Sequence, residues 1–456
     1  MNRIISRHLS PPVLILLSFA LIILAGTLLL WLPVASVGRS ISFLDALFTA
    51  TSATCVTGLT VIDIGTRLTL FGQLVVLLLI QLGGLGIMTF STFFAFLVGR
   101  RLSIREREIL HQTLSQHPMK DIATLLKTVF LFTIVTELLG AIVFWFRFTG
   151  EFSPGRAAYV AVFHSVSAFC NAGFSLFRTS FMAYQSDWLV NLNAMFLIVT
   201  GGIGFIVIYD ILRNLQRKKR GERWRLAFHS KVVLRTTAFL IVAGAVLFFI
   251  LEFGNSLQSV NWPTKIFISF FQSITARTAG FNTVDIGRLS DAALMLLSLL
   301  MLIGASPASC GGGIKTSTFA IVMAMIASRY REEGDVNLLG RRLPEGIVSR
   351  AIVITFFSVA IVTLFTLALL GVELTGASHV VTRGRFLEIL FESISAFGTV
   401  GLSTGITAKL SQTGRVLLIV LMYVGRLGPL TIAVALSGAR RRRPAFRYAE
   451  DHVLIG

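Results

Sequence analysis

The amino-acid sequence predicts an all-α polytopic membrane protein made of four tandem span–pore-helix–span repeats, with eight transmembrane helices and four re-entrant pore helices around one pore per subunit. Three observations predict it. The chain is too apolar for water: 54% of its 456 residues are hydrophobic, only 14% are charged, and the mean hydropathy is +0.80. A soluble domain is about a quarter charged. Its apolar runs have the length of bilayer crossings, and one glycine-containing segment recurs four times between them.

Apolar runs at residues 13–32, 69–98, 125–146, 188–211, 232–252 and 351–370 each approach the ~20 residues that a helical crossing needs. A long run at 292–325 and another at 416–436 complete eight. The first run has a basic start, Arg3 and Arg7, but its apolar stretch exceeds the ~7–15 residues of a cleaved signal, and many spans follow it. The expected organisation is a cytoplasmic N-terminus at 1–12, repeat 1 at 13–98, a cytoplasmic loop at 99–121 and repeat 2 at 122–212. A basic loop at 213–231, repeat 3 at 232–327, a loop at 328–350, repeat 4 at 351–437 and a basic tail at 438–456 follow.

The net charge of +19 sits between the spans. Its clusters are Arg100, Arg101, Arg105 and Arg107; Arg213, Arg217, Lys218, Lys219, Arg220, Arg223 and Arg225; Arg329, Arg331, Arg341 and Arg342; and Arg440 to Arg443. With eight spans all of them fall on one side, which by the positive-inside rule places both termini in the cytoplasm of a plasma or inner membrane. Basic loops against anionic headgroups explain this better than nucleic acid binding does. Cys55, Cys170 and Cys310 are odd in number and widely spaced, so they form no disulfide framework.

The repeat is explicit. Phe48-Thr-Ala-Thr-Ser-Ala-Thr-Cys-Val-Thr-Gly58, Phe163-His-Ser-Val-Ser-Ala-Phe-Cys-Asn-Ala-Gly173, Phe270-Phe-Gln-Ser-Ile-Thr-Ala-Arg-Thr-Ala-Gly280 and Phe391-Glu-Ser-Ile-Ser-Ala-Phe-Gly-Thr-Val-Gly401 share an aromatic entry, a Ser/Thr-Ala core and one glycine. The third is one residue tighter between its Ala and its Gly. The stretch before each glycine, for instance 41–53 or 385–396, is too short to cross. Irregular backbone at membrane depth is tolerated where it lines a watery cavity or is buried in protein.

This pattern suits a cation path. Glycine permits positive φ, so neighbouring carbonyls can turn to one axis, and a ring of carbonyls can replace an ion's hydration shell. Short helices ending at the loops aim their partly negative C-termini at the same place. The candidate filter is Thr57, Gly58, Ala172, Gly173, Ala279, Gly280, Val400 and Gly401, preceded by Val56, Asn171, Thr278 and Thr399. Thr54, Thr57, Thr278 and Thr399 add neutral oxygens, and Arg277 is expected to point away from the axis. The segments carry no acidic ring of the kind calcium or magnesium requires, so K⁺ or Na⁺ is the expected ion. Close helix packing on small residues would explain one such glycine, but not four at equivalent positions.

A second motif interrupts the run at 292–325: Gly304-Ala-Ser306-Pro-Ala-Ser309-Cys-Gly311-Gly312-Gly313-Ile-Lys315-Thr-Ser. Three glycines and a proline do not sustain a helix, so the second span of repeat 3 is expected to break there and form an intramembrane gate. The Lys-Thr pair is no phosphate-binding loop, because Ile314 stands where glycine is required and no strand precedes it. Arg426, inside the last span, either latches loop carbonyls or snorkels to the membrane edge. His164 and Glu392 occupy corresponding positions, expected at the front of two pore helices. Asp210 and Glu137 are isolated, each expected near a span end or against a neighbour. Protease and other enzyme motifs (His-Glu-x-x-His, Gly-x-Gly-Asp, Gly-x-Ser-Gly, paired intramembrane carboxylates) are missing from the sequence, and an intramembrane enzyme is the distant alternative.

These segments, with Gln81-Leu-Gly-Gly-Leu-Gly86, Gly201-Gly-Ile-Gly204-Phe, Gly425-Arg-Leu-Gly-Pro-Leu-Thr431 and the tail at 448–456, resemble the Trk/Ktr/HKT superfamily over nearly the whole chain, most of all the membrane subunits of bacterial Ktr systems. The resemblance implies K⁺ uptake, often promoted by Na⁺, by a homodimer with one pore in each subunit. It implies a cytoplasmic ring of nucleotide-binding regulatory subunits (KtrA-like, carrying RCK domains) that senses ATP or ADP and controls the intramembrane loop. By the same likeness Gly58, Gly173, Gly280 and Gly401 are the filter glycines, Arg426 faces the gate, and the tail inserts at the dimer interface. In plant relatives serine for the first filter glycine accompanies Na⁺ preference; Gly58 here implies K⁺, with a Na⁺-selective or weakly selective transporter as the alternative. Pro307 and Cys310 stand where relatives have small Ser, Thr or Ala residues, and Cys170 stands where another Asn is usual.

Overall fold

The computed structural model describes residues 11–86, 122–378, 380–429 and 431. Arg3, Arg7, the remainder of the 69–98 run, the loop at 99–121, the Arg440–Arg443 cluster and the tail lie outside the described residues. The regular secondary structure among the described residues is helical, apart from one hairpin of two-residue strands, β1 (Asn337–Leu338) with β2 (Arg341–Arg342), in the loop at 328–350. The all-α expectation did not include this hairpin. Beside it, bonds from the Asn337 and Ser328 side chains hold the Glu333 carboxyl below its ordinary pKa range.

Three-helix groups recur along the chain. They are α1 (Pro11–Trp31), α2 (Phe43–Thr54) and α3 (Leu70–Leu85); α4 (Ile122–Phe148), α5 (Pro154–Phe169) and α6 (Trp188–Ile203). After α7 (Phe205–Lys219) come α8 (Phe228–Glu252), α9 (Trp262–Thr275) and α10 (Asp291–Leu302); after α11 (Thr316–Tyr330) come α12 (Glu345–Glu373), α13 (Arg385–Gly398) and α14 (Gln412–Leu427). The first helix of each group packs along its short second helix. The third helix touches the short helix of the following group: α3 meets α5, α6 meets α9, α10 meets α13, and α14 returns to α2.

Burial is inverted relative to a soluble protein. The short helices bury nearly all of their last two turns, including Ser52, Thr54, Ser165, Ser167, Ser273, Thr275, Ser393 and Ser395. The long helices expose Leu131, Leu138, Phe239, Ile250, Phe356 and Leu364. Large contiguous apolar surface of this kind is compatible with lipid rather than water. Among the described residues Lys127–Phe148, Phe228–Glu252 and Glu345–Glu373 are long and apolar enough to cross alone, while 15–31, α3 and α10 are apolar but shorter.

Each third helix starts at a polar N-cap, which satisfies otherwise orphaned N–H groups. The caps are Thr69, Asp187, Ser290 and Ser411. Each is also tied to the end of its group's first helix or just past it. Thr69 donates to the Val34 carbonyl at 2.7 Å, and Asp187 pairs with Arg147. Ser290 and Ser411 donate to Glu252 at 2.7 Å and Glu373 at 2.6 Å across the same 38-residue separation. A turn of chain at the same depth in each group is thereby fixed at both ends.

Two expectations are corrected. The run at 188–211 is not one continuous helix: α6 stops at Ile203, Gly204 takes φ +99°, and α7 leaves at 99° to it. The helix α7 then carries Arg213, Arg217, Lys218 and Lys219, which were expected in a loop. Nor is the break confined to the third group. α3 ends at Gly86 (φ +73°, ψ +139°) and α14 at Gly428 (φ +83°, ψ +141°), the same conformation as Gly204 (ψ +135°). A residue with a side chain is strained there, so glycine terminates each helix at one level.

The cap-to-helix tie predicts graded stability. Ser290→Ala removes both a cap and a donor to the fully buried Glu252, a loss of about 1–3 kcal/mol. Ser411→Ala, beside the half-buried Glu373, costs less. Melting in detergent should rank wild type above Ser411→Ala above Ser290→Ala, and equal melting temperatures would reject the tie.

Candidate ion pathway

Each short helix runs into a loop with two residues of positive φ flanking a third. They are Val56 (+57°) and Gly58 (+90°), Asn171 (+59°) and Gly173 (+70°), Thr278 (+77°) and Gly280 (+79°), and Thr399 (+50°) and Gly401 (+92°). Left-handed backbone on non-glycine residues persists only where the surroundings over-determine it. Here a hydrogen bond does so: the N–H groups of Thr57, Ala172 and Val400 donate to the carbonyls of Ser52, Ser167 and Ser395 at 2.8, 2.8 and 2.9 Å. In the shorter third loop Ala279 donates to Thr275 at 2.9 Å, so Thr275 takes the serine's place and the missing residue falls at the helix end.

The same four Ser/Thr side chains close the far side of each loop. Ser52 and Ser395 accept from the Gly58 and Gly401 N–H groups at 3.1 Å. Ser167 and Thr275 donate to the Phe174 and Phe281 carbonyls at 2.7 Å.

The loops meet in a cycle. A Cβ at Gly58 would lie 2.4 Å from the Ala172 carbonyl oxygen, at Gly173 2.7 Å from that of Ala279, at Gly280 2.4 Å from that of Val400, and at Gly401 2.1 Å from that of Thr57. All four glycines line one cavity of about 530 Å³, together with Asp63, Asp285 and Arg178. Asp63 and Asp285 accept from the N–H groups of Gly65 and Gly287 at 3.0 Å.

Behind the cycle, a polar residue on three of the short helices reaches eleven residues ahead. His164 bonds Ser175 at 2.9 Å, Gln272 bonds Thr283 at 3.2 Å, and Glu392 bonds Ser403. The correspondence of His164 and Glu392 holds, but their expected place at the helix front does not. Both lie past the midpoint, because α5 and α13 begin at Pro154 and Arg385. One oxygen of Glu392, Oε1, thus accepts from the hydroxyls of Ser403 and Thr407, away from the helix N-terminus. Asn171 turns sideways: its amide donates to the Ala168 and Ile198 carbonyls at 3.1 Å and accepts from the Thr278 hydroxyl at 3.2 Å. Arg277 is buried, and its Nε and Nη1 have no partner among the described residues.

On the other side lies the segment between α10 and α11. Gly304, Ser306, Ser309, Gly311, Gly312, Gly313 and Lys315 all fall in or beside it, and it is non-helical as its glycines require. It touches loops from other groups. The Gly312 N–H donates to the Thr399 hydroxyl at 3.0 Å, and a Cβ on Gly311 would lie 2.1 Å from the Thr278 hydroxyl. Ser306 N–H donates to Gly202 and Phe205 N–H to Ala308, at 3.0 and 2.8 Å. Thr316 donates to Ser306 at 3.0 Å, and Ser309 to the Ser306 carbonyl at 2.6 Å. Lys315 bonds the Gly311 carbonyl. Arg426 does not snorkel: it donates to the Cys310 and Gly83 carbonyls, a latch between this segment and α3.

Three glycines that the motifs contain, but to which the sequence reading gave no packing role, hold the third helices against the short ones. A Cβ at Gly83, Gly201 or Gly425 would lie 2.0, 1.7 or 1.9 Å from the carbonyl oxygen of Thr54, Phe169 or Phe397. Each stands three residues before its helix-ending glycine, so the spacing Gly-x-x-Gly was the available signal. In the third group Met301, fully buried, stands three residues before Gly304. Glu137 accepts from Gln81 at 3.2 Å, and Asp210 accepts from Asn214 and from the Ala227 N–H at 3.2 and 2.9 Å. Neither carboxylate is isolated.

Comparison with known proteins gives the family. Residues 13–440 match the family model TrkH, described as a cation transport protein. The chain is 40% identical to Ktr system potassium uptake protein B of Vibrio alginolyticus (98% of this chain, 95% of the relative) and 37% identical to that of Bacillus subtilis (98% and 97%). It is 35% identical to the potassium/sodium uptake protein NtpJ of Enterococcus hirae (100% and 99%). In fold it is similar to the crystal structure of the potassium transporter TrkH from Vibrio parahaemolyticus, with a TM-score of 0.73 at 19% identity over 94% of this chain and 86% of that one. The chain, with its apolar helices, belongs to the TrkH family of cation transport proteins.

Proposed function

We propose that the protein is the membrane subunit of a potassium uptake system, conducting K⁺ through one pore formed by four span–pore-helix–span repeats with eight crossings. The observation that carries this reading is the cyclic contact of the four loop glycines with the preceding carbonyls of the next loop. With a left-handed residue two positions before each glycine, the carbonyls of Thr57, Gly58, Ala172, Gly173, Ala279, Gly280, Val400 and Gly401 form the filter, which replaces water around a monovalent ion. The printed names of the relatives support K⁺ as that ion. The name potassium/sodium uptake protein supports a second reading, a weakly selective K⁺/Na⁺ transporter.

The segment at 304–317 is the gate, held under the filter by Thr399 and latched by Arg426. A cationic side chain among loop carbonyls takes the place an ion would need, so opening requires the segment to move. The chain acts as a homodimer in the plasma or inner membrane with both termini cytoplasmic. Its cofactor is the transported K⁺, with Na⁺ as activator, and ATP or ADP binds only on a KtrA-like cytoplasmic ring. The word "system" in the relatives' names supports a multi-subunit assembly.

Two measurements test the reading. Strain at Gly280, with φ +79° and a Cβ 2.4 Å from the Val400 oxygen, amounts to about 1–3 kcal/mol for any side chain, or about tenfold and more in affinity. In a host stripped of its K⁺ importers and given a matched regulatory subunit and Na⁺, wild type should restore growth at low K⁺ and Rb⁺ uptake, and Gly280→Ser should lose affinity or selectivity. No rescue by wild type would move the reading to Na⁺, and an unaltered serine variant would reject the filter. For the gate, Gly312→Ala places a Cβ 2.5 Å from the Thr399 hydroxyl and should displace the segment, giving uptake that no longer responds to the regulatory ring. Unchanged flux and unchanged regulation would reject it.

A further inference from the structure

We propose that Arg415 is a positioning residue of the filter: it clasps Asp45 of the first short helix, closes the ring between the fourth group and the first, and so sets the ion preference of the loops. The proposal rests on the reading of the four loops as a filter.

Each of the first three groups leads along the chain into the next, but no connecting segment leads from the fourth back to the first. Noncovalent contacts hold that seam. Three residues of α14 reach across it: Arg415 to Asp45 at 2.8 Å, Tyr423 to the Leu16 carbonyl at 2.5 Å, and Arg426 to the Gly83 carbonyl. The loops are also tightest there, since the 2.1 Å from a Cβ on Gly401 to the Thr57 oxygen is the shortest of the four such contacts. Arg415 belongs to a repeated device. It stands four residues after the cap Ser411, as Gln73 does after Thr69 and Asn191 after Asp187, while the third group has Leu294 there. Each polar member holds the chain that leads into its own helix. Gln73 donates to the Ile64 and Leu68 carbonyls at 3.2 and 3.0 Å, and Asn191 to those of Tyr184 and Asp187 at 2.8 and 2.7 Å. Arg415 donates to Leu410 and Ala408 at 3.1 and 2.8 Å. Ile64 and Ala408 line the cavity at the loop glycines. Gln73 and Arg415 also reach the short helix of the following group: Gln73 accepts from Tyr159 on α5 at 2.7 Å, and Arg415 donates to Asp45 on α2.

Of these two bridges, only the one at the seam is ionic. Asp45 lies in the first turn of α2, where its N–H donates to the cap Ser42 at 3.1 Å and its Oδ2 accepts from the Ser42 hydroxyl at 2.8 Å. Its Oδ1 accepts from Arg415. The two side chains are 22% and 21% exposed, so solvent and salt screen the pair only in part. A guanidinium presents its donors in a rigid fork, and here Nε, Nη1 and Nη2 each have an acceptor. The start of α2 is thereby fixed relative to the fourth group. α2 runs unbroken to Thr54, and the loop with Thr57 and Gly58 follows it directly. A shift at Asp45 is carried along that short rod to the Thr57 carbonyl that lies against Gly401.

The experiment uses the purified full-length protein in vesicles and reads Na⁺ uptake relative to Rb⁺ uptake, with melting in detergent read on the same samples. Arg415→Ala and Asp45→Ala should each raise the Na⁺-to-Rb⁺ ratio by about twofold or more, the lower end of couplings between residues in contact. The double variant should be no less selective than Arg415→Ala alone, because both changes break one bond. Ser411→Ala, one turn earlier at the start of the same helix, should lower the melting temperature and leave the ratio where it is. Unchanged ratios in both single variants, effects that multiply in the double variant, or a shift in Ser411→Ala as large as that in Arg415→Ala would overturn the proposal. A wild type with no preference for Rb⁺ over Na⁺ would count against the potassium reading instead. The melting temperatures then decide the clasp: losses that add in the double variant reject it, and losses that do not add uphold it.

Discussion

Four backbone glycines must lie edge to edge, because a Cβ on any one would occupy the carbonyl position of the next. Much of the surrounding structure serves that constraint. The short helices stop just before the loops, and a hydroxyl one residue before the conserved Ala (Ser52, Ser167, Thr275, Ser395) ties both sides of each loop. His164, Gln272 and Glu392 brace the outgoing chain. The third helices come close through Gly83, Gly201 and Gly425, whose missing side chains leave room for the ends of the short helices. On the proposed reading, removing water from a cation demands oxygens that are already in place, and a network with so few free torsions would supply them without reorganisation.

The departures from fourfold regularity gather in the third group. Its loop is one residue shorter, Met301 rather than glycine is found three residues before Gly304, and its third helix opens into the glycine-rich segment. That segment is tied to the second group through Gly201, Gly202 and Phe205, to the fourth through Thr399 and Arg426, and to the first through the shared bond to Gly83. A segment with weak internal structure and partners in every other group is suited to sense their relative positions.

Much of this was legible in the residues. Period and composition exposed the four segments, the short helices and the break after Leu302, because Ser/Thr-Ala-rich stretches and runs of three glycines deviate sharply from an apolar span. The ends of α3, α6 and α14 were not legible from hydropathy, which stays high through Leu85, Ile203 and Leu427 and does not register the φ of the following glycine. The right-angle turn into α7 was hidden for the same reason. Partners were hidden too: nothing in the sequence pairs Asn171 with Thr278 or Arg426 with Gly83, since these contacts join groups distant in the chain and are set by packing. Spacing did reveal that His164 and Glu392 correspond, though not that each reaches a hydroxyl eleven residues on.

The central claim, a ring of carbonyls sized for one dehydrated monovalent cation, is tested most directly by the thermal stability of the purified protein against ion concentration at constant ionic strength. A ligand that binds only the folded state raises stability in proportion to its occupancy. K⁺ and Rb⁺ should raise the melting temperature along a saturable curve at concentrations where Na⁺ and choline have little effect. Equal stabilisation by K⁺, Na⁺ and choline would contradict a selective ring.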